Sequence, residues 1–99
     1  MNYRVELFPA AIEEIDESAY WYEKRVEGLG RDFIDVIYKS FDVIARTPLA
    51  YPRKKNYRVF VVKRFPYLIV YEILENEGVI NVLHVFHTSR NPKLKYRRE

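Results

Sequence analysis

Histidine is the side chain in this protein best suited to acid–base or metal chemistry, and the chain has two, His84 and His87. They stand three apart in a stretch that predicts a β-strand, so we expect their rings to point to opposite faces. Such a pair cannot chelate one metal ion locally, and the chain has no cysteine to supply a thiolate. A phosphate-binding glycine loop and a nucleophile elbow are also absent from the sequence. We therefore expect no metal and no cofactor, and we expect His84 to lie in the core with a hydrogen-bond partner.

Positive charge is concentrated in the second half of the chain. Residues 1–50 carry six basic and ten acidic side chains (−4), whereas residues 51–99 carry eleven and four (+7), which together give the net charge of +3. Residues 90–99 form a basic tail. An asymmetry of this kind in one small domain indicates a basic surface for a polyanion or an acidic partner. The alternative is that basic strands and a solvated tail only aid solubility.

Three runs rich in β-branched and aromatic residues must position these groups, and they predict a β-meander at 57–63, 67–74 and 79–86. Pro66 marks a strand start or a sheet edge rather than the middle of a strand, because proline cannot donate to a ladder. The break at 75–78 contains the Asn and Gly that a tight hairpin uses at positive φ.

The N-terminal half predicts one strand and two helices. Residues 2–8 alternate apolar and polar side chains, as a half-buried strand does. Pro9 then suits the first position of a helix. The apolar stripe predicted for this first helix is Ile12, Ile15, Ala19, Tyr22 and Val26, and the stripe of the second is Phe33 or Ile34, Ile37, Phe41 and Ile44. The acids of the first helix, Glu13, Glu14, Asp16 and Glu17, are expected on a solvated face.

These elements predict one α+β domain over residues 1–99, in the order β-α-α-β-β-β. An antiparallel two-helix hairpin would pack on one face of a small, mostly antiparallel four-stranded sheet. The other sheet face would stay open and mix apolar side chains with Arg58, Arg64 and a histidine. Trp21 is predicted either to be an exposed partner anchor or to cover the rim of the helix–sheet seam. With no signal sequence and no membrane-length apolar run, we expect a cytoplasmic protein.

Four segments resemble the RelE/ParE superfamily of toxins from bacterial type II toxin–antitoxin modules. They are FPAAIEEIDESAYWYE (8–23), GLGRDFIDVI (28–37), RFPYLIVYEI (64–73) and VLHVFHTSRNP (82–92). The resemblance implies the two-helix and sheet fold reached above. It also implies a small basic toxin that is held inactive by a cognate antitoxin, whose C-terminal segment wraps over the exposed sheet and helices.

The superfamily resemblance leaves two activities open. RelE-like members are ribosome-dependent mRNA endoribonucleases that need no metal, because a 2′-hydroxyl attacks the adjacent phosphate. That reaction requires a base, a proton source and cations for the phosphorane charge. Under this alternative the resemblance implies a catalytic set of Arg58, Arg64, His87, Arg90 and Tyr96.

ParE-like members instead inhibit DNA gyrase by binding, and this sequence resembles them more closely. Leu68 stands at the strand position that is arginine in RelE, and the GLG turn between the helices looks ParE-like. We therefore expect a non-enzymatic toxin that arrests growth and serves plasmid stabilisation. A member that only binds its antitoxin is a third alternative. The predicted partner-binding residues are Trp21, Arg58, Phe60, Arg64 and Arg90.

Overall fold

In the computed structural model, which describes residues 3–89, one strand is followed by a helical hairpin and then by four more strands. The elements are β1 (Arg4–Leu7), α1 (Pro9–Arg25), α2 (Leu29–Arg46), β2 (Arg53–Lys54), β3 (Tyr57–Val61), β4 (Tyr67–Leu74) and β5 (Val79–His87). Short 3₁₀ turns lie at Pro48–Ala50 and Glu75–Glu77. Among the described residues no helix is both long and apolar enough to cross a bilayer.

The sheet has five strands in the order β1-β5-β4-β3-β2, so the α+β prediction is confirmed with one strand more than expected. β1 runs parallel to β5 and all other pairs are antiparallel. The additional strand is β2, whose Arg53 and Lys54 pair with Arg58 and Tyr57. A two-residue basic strand has no alternation for a sequence pattern to detect. The turn that follows it is closed by Lys55 at a φ of 55°.

Helix α1 begins at Pro9 as predicted, and its predicted apolar stripe is confirmed at Ile15 and Ala19 but wrong at its two ends. Ala11, Ile15 and Ala19 are buried, whereas Ile12 is 46% exposed and Val26 is 56% exposed. Because alanine contributes little to an apolar periodicity, the pattern assigns the larger Ile12 to the buried stripe in place of Ala11. The stripe predicted for α2 is confirmed, because Phe33, Ile37, Phe41 and Ile44 are all buried.

The helical hairpin closes at a glycine contact. A Cβ added to Gly30 would lie 2.5 Å from the backbone oxygen of Ala19 and 3.0 Å from side-chain atoms of Glu23. The Glu23 carboxylate accepts hydrogen bonds from the backbone N–H groups of Gly28 and Gly30, both at 2.9 Å. These two hydrogen bonds lower the pKa of Glu23. Glu23 thereby caps the start of α2 from the preceding helix, because the N-cap residue Gly28 has no side chain that could do so.

The two faces of the sheet bury different clusters. Phe60, Ile69, Tyr71, Ile80, Val82 and Val85 face the helices. On the opposite face a second cluster forms, and the buried residues in it are Tyr57, Val59, Val70 and Phe86. The expectation of an open second face is therefore wrong at its centre, because these four side chains are only 4–6% exposed.

Arg58 lies on the helix-covered face, which corrects its predicted position. It pairs with Tyr71 across β3 and β4, and side chains of an antiparallel pair share one face. Both neighbours of Arg58 along the strand, Tyr57 and Val59, are apolar and face the other way. Since Phe60 on the helix side is apolar too, sequence alternation cannot decide the phase of this strand.

Substitution of Gly30 by alanine tests the close approach of the two helices. The added Cβ meets a backbone atom that no rotamer change can move, a clash that costs about 3 kcal/mol. The gain in helix propensity returns about 1 kcal/mol, so we expect a net loss of about 2 kcal/mol in the free energy of unfolding. Urea unfolding of the purified protein measures it.

Gly28→Asn is the matched control for this substitution. Gly28 lies at a φ of +87° with nothing within 4 Å of its added Cβ, and asparagine tolerates the left-handed region. A loss below about 1 kcal/mol is expected here. Equal losses for the two variants would contradict the role given to the Gly30–Ala19 contact.

Candidate partner-binding surfaces

Arg58 holds the turn between α2 and β2. Its Nη1 donates to the carbonyl of Tyr51 at 2.9 Å and lies 3.5 Å from the carbonyl of Leu49. The Tyr71 hydroxyl donates to the neighbouring carbonyl of Pro48 at 2.6 Å. Burial raises the pKa of Tyr71 to about 12, against the lowering effect of the nearby Arg58 charge. Arg58 therefore has structural partners, and a role in binding RNA or a protein stays a prediction.

Replacing Tyr71 by phenylalanine should destabilise the protein by about 1–3 kcal/mol, because the buried carbonyl of Pro48 loses its donor. The raised pKa adds a pH signature. A neutral Tyr71 contributes stability that is complete below pH 10 and is lost as the pH rises towards 12. The Phe variant should lack that alkaline loss. Denaturant unfolding at pH 7 and across pH 9–12 measures both effects.

Tyr38→Phe is the control for the alkaline experiment, since Tyr38 is 47% exposed. We expect it to change the free energy of unfolding by less than about 0.5 kcal/mol and to keep the alkaline loss. An alkaline loss that persists in Tyr71→Phe would contradict the assignment.

Three of the predicted site residues lie against a cluster of aromatic rings at one end of the molecule. The aromatic cluster consists of Tyr22, Phe33, Phe65 and Tyr67, with centroid separations of 4.8–6.3 Å among its ring pairs. Trp21 meets the Tyr22 ring edge-on at 5.1 Å, and the ring of His87 lies 5.3 Å from that of Tyr67. The guanidinium carbon of Arg64 lies 5.3 Å from the Phe65 ring. Trp21, Arg64 and His87 therefore each contact one member of the aromatic cluster.

Arg64 sits in a left-handed conformation in the connection between β3 and β4, with a φ of 80°. Its Nη2 lies 3.3 Å from Oδ2 of Asp32 on α2, and both side chains are about half exposed. Arg64 therefore reaches towards the helices, and its predicted position on the other face of the sheet is wrong. An ion pair this exposed adds little stability. No sequence signal announces this geometry, because arginine is not a usual residue at positive φ.

His87 ends β5 beside the same connection. Its Nδ1 accepts a hydrogen bond from the backbone N–H of Ser89 at 3.0 Å, so the ring carries its proton on Nε2. The backbone N–H of Thr88 donates to the carbonyl of Pro66 at 2.8 Å. As expected, His84 and His87 point to opposite faces, since they pair with Val70 and Tyr67 respectively.

The predicted nuclease residues do not meet at one point among the described residues. Arg58 pairs with Tyr71, whereas His87 pairs with Tyr67, four positions away along β4. That separation is about 13 Å along the strand. Arg90 and Tyr96, the remaining members of the set, lie outside the described residues 3–89.

The predicted partner residue Phe60 is only 9% exposed and packs edge-on against the Tyr51 ring at 4.9 Å. It lies in the floor of a groove of about 580 Å³ between α2 and β3, which we call the β3 groove. The residues that line this groove are Val36, Lys39, Ser40, Val43, Tyr51, Pro52, Val59, Phe60, Val61, Lys63 and Arg64.

The β3 groove runs along a strand edge that is only partly covered. β2 pairs with the first two residues of β3, and the N–H of Val59 donates to the carbonyl of Pro52 at 3.1 Å. Because backbone groups alternate along a strand, the N–H and C=O of Val61 point to the same side as those of Val59. Within residues 3–89 no strand pairs with β3 there, and the Val61 side chain is 65% exposed.

On the other side of the sheet, the part of β5 that extends past β1 is covered by a side chain whose position was predicted wrongly. Glu14 was expected on a solvated face, but its Oε1 accepts the backbone N–H of Val85 at 2.8 Å. Its Oε2 lies 3.2 Å from Nδ1 of His84. The strand β1 pairs with β5 only as far as Val82, so Glu14 continues the acceptors of that edge. The expected hydrogen-bond partner of His84 is confirmed, though the ring is only partly buried.

A β-bulge explains how the Glu14 contact arises. Tyr71 pairs with Val82 and Val70 with His84, so Leu83 is an extra residue in β5.

Among the described residues no group of three or more His, Cys, Asp or Glu side chains is placed to hold a metal ion.

Comparison with solved structures shows the fold that these elements share. The chain superposes on a chain of the ParDE system of Pseudomonas aeruginosa with a TM-score of 0.75 at 11% identity, covering 86% of this chain and 95% of that one. For the RelBE toxin–antitoxin complex of Mycobacterium tuberculosis, the TM-score is 0.63 at 18% identity, covering 88% and 92%. For the intact Escherichia coli RelBE complex, it is 0.61 at 14% identity, covering 89% and 99%.

The fold is thus that of the RelE/ParE superfamily of toxins. Within that superfamily the chain belongs to the ParE toxin family of the type II toxin–antitoxin system parDE, whose model matches residues 5–92. A search of the curated proteins gives no match.

Proposed function

We propose that this protein arrests growth by binding and inhibiting DNA gyrase in the cytoplasm, and that a cognate antitoxin neutralises it. The observation that carries the proposal is the ParE family match over residues 5–92. Gyrase inhibition without catalysis is the ParE-like activity that the sequence resemblance implies.

The arrangement of the strand residues supports binding over RNA cleavage. Leu68 is partly buried against the second cluster beside Val70 and Phe86, and a leucine side chain has no charge with which to stabilise a phosphorane. Arg58 lies on the other face of the sheet and donates to turn carbonyls. The alternative, a RelE-like ribosome-dependent endoribonuclease, retains Arg64 and His87 at one end of the sheet.

Mapping of new mRNA 5′ ends minutes after induction in cells, together with plasmid supercoiling, tests the proposal. We expect growth arrest and loss of negative supercoiling, without codon-phased cuts in translated messages. Codon-phased cuts would contradict the proposal and favour the endoribonuclease. The absence of both arrest and cuts would favour a member that only binds its antitoxin.

The β3 groove has the chemistry of an antitoxin-binding surface. Its floor is apolar, its rim carries Lys39, Lys63 and Arg64, and the adjacent edge of β3 presents backbone groups at Val61. An extended segment that adds as a strand to this edge would place alternate apolar side chains in the groove. Its acidic side chains would meet the basic rim.

The substitution Val61→Asp tests this surface. A carboxylate at the exposed strand edge removes apolar contact and repels an acidic segment, so we expect affinity for the cognate antitoxin to fall at least about tenfold. Growth arrest should persist and escape neutralisation when the antitoxin is co-expressed. Co-purification and growth curves measure the two effects.

Leu49→Asp is the matched control, since Leu49 is 56% exposed and lies outside the β3 groove. This variant should be neutralised normally. If Val61→Asp is also neutralised normally, the antitoxin does not use this strand edge.

A further inference from the structure

We propose that Trp21 and Arg25, on the exposed side of α1, form the surface through which this toxin contacts its protein target. We call these two residues the Trp21–Arg25 surface. The proposal rests on the proposed function, because it assigns the target-binding step to a place on the molecule. It commits to a protein partner that presents a carboxylate next to an apolar side chain.

Two cation–aromatic pairs lie side by side in the last turns of α1. The guanidinium of Arg25 lies 3.8 Å from the centroid of the Trp21 ring. One residue earlier, Nζ of Lys24 lies 5.3 Å from the centroid of the Tyr20 ring and 3.5 Å from its hydroxyl. Tyr20 is 66% exposed and Trp21 is 40% exposed. Large exposed aromatic rings with arginine are the residue types that dominate protein interfaces energetically.

The Trp21–Arg25 surface is ordered before any partner arrives. The Trp21 ring stands edge-on to Tyr22 at an interplanar angle of 89°, and Tyr22 in turn contacts Phe33 and Phe65 within the aromatic cluster. Arg25 stacks on the indole and so gives up side-chain freedom already in the unbound protein. Less entropy is then lost on association, which favours affinity.

The charges around the Trp21–Arg25 surface decide the class of partner. Lys24 and Arg25 supply positive charge, which suits a carboxylate. Glu13, Asp16 and Glu17 lie exposed one to three turns earlier on the same helix. These acids would repel the continuous phosphate backbone of a nucleic acid, whereas a protein can place a single carboxylate against the cations.

The Trp21–Arg25 surface is distinct from the β3 groove. The groove is lined by α2, β3, the connection after β3 and residues 51–52, and α1 contributes none of its lining residues. Target binding and antitoxin binding should therefore be separable by substitution on the intact chain.

The double variant Trp21→Ala/Arg25→Ala tests the proposal in the full-length protein. Inhibition of supercoiling by purified DNA gyrase and growth arrest after induction are measured, together with antitoxin co-purification. We expect at least a tenfold higher concentration for half-inhibition and loss of growth arrest, with antitoxin binding retained. Arg25→Lys keeps the charge but loses the planar guanidinium over the indole ring. Its concentration for half-inhibition should lie between those of the unsubstituted protein and the double variant.

Tyr38→Ala controls for the loss of an exposed aromatic ring elsewhere, because Tyr38 lies on α2 and is 47% exposed. It should inhibit gyrase as the unsubstituted protein does. Circular dichroism and antitoxin binding show whether the double variant is folded. If it does not fold, Arg25→Glu alone, on an exposed residue, takes its place and should lose inhibition through charge reversal.

The results separate failure of this inference from failure of the proposed function. If the unsubstituted protein inhibits gyrase and the double variant inhibits equally, the inference is overturned while the proposed function stands. If the unsubstituted protein arrests growth without inhibiting gyrase, the proposed function fails. Loss of arrest in the double variant then still supports this surface as the contact with another protein, and unchanged arrest overturns it. Absence of arrest by the unsubstituted protein overturns both.

Discussion

The packing of Tyr22 between α2 and the connection from β3 to β4 is the contact on which the arrangement of the surfaces depends. Its ring lies 5.3 Å from Phe33 and 5.0 Å from Phe65, so one side chain ties both helices to one end of the sheet. Aromatic pairs of this kind add about 0.5–1.5 kcal/mol each beyond the area they bury. The aromatic cluster thus lies between Trp21 on α1, which packs on Tyr22, and Arg64 after β3, which lies against Phe65.

The parts of the fold that were predicted correctly are those where large apolar side chains recur at regular spacing. The parts that were missed depend on small side chains or on segments too short to show a pattern. Phe33 and Phe41 recur at helical spacing on α2, so its buried face was predicted correctly. On α1 the burial of Ile15 and Ala19 was predicted correctly, but the small side chain of Ala11 gave no sign that this residue, rather than Ile12, lies in the core. The two-residue β2 has no pattern at all, and its pairing with β3 depends on the turn geometry at Lys55.

The candidate surfaces were less predictable because they depend on contacts between distant parts of the chain. Glu14 looks like any solvated helix acid until the bulge at Leu83 turns the N–H of Val85 towards it. Arg58 looks like a free cation until the turn after α2 brings its carbonyls into reach. Arg64 looks like a free cation of the connection until the fold brings Asp32 of α2 to 3.3 Å from its guanidinium.

The Glu14 carboxylate makes the two edges of the sheet unequivalent. On one side, β1 pairs with β5 as far as Val82, and the Glu14 carboxylate accepts the next N–H, that of Val85. A side chain cannot continue the hydrogen-bond ladder to a further strand. The other edge, at Val61, still presents backbone groups. Beside Val85 an added strand would have to displace the Glu14 carboxylate, whereas beside Val61 it would meet backbone groups with which no strand of residues 3–89 pairs.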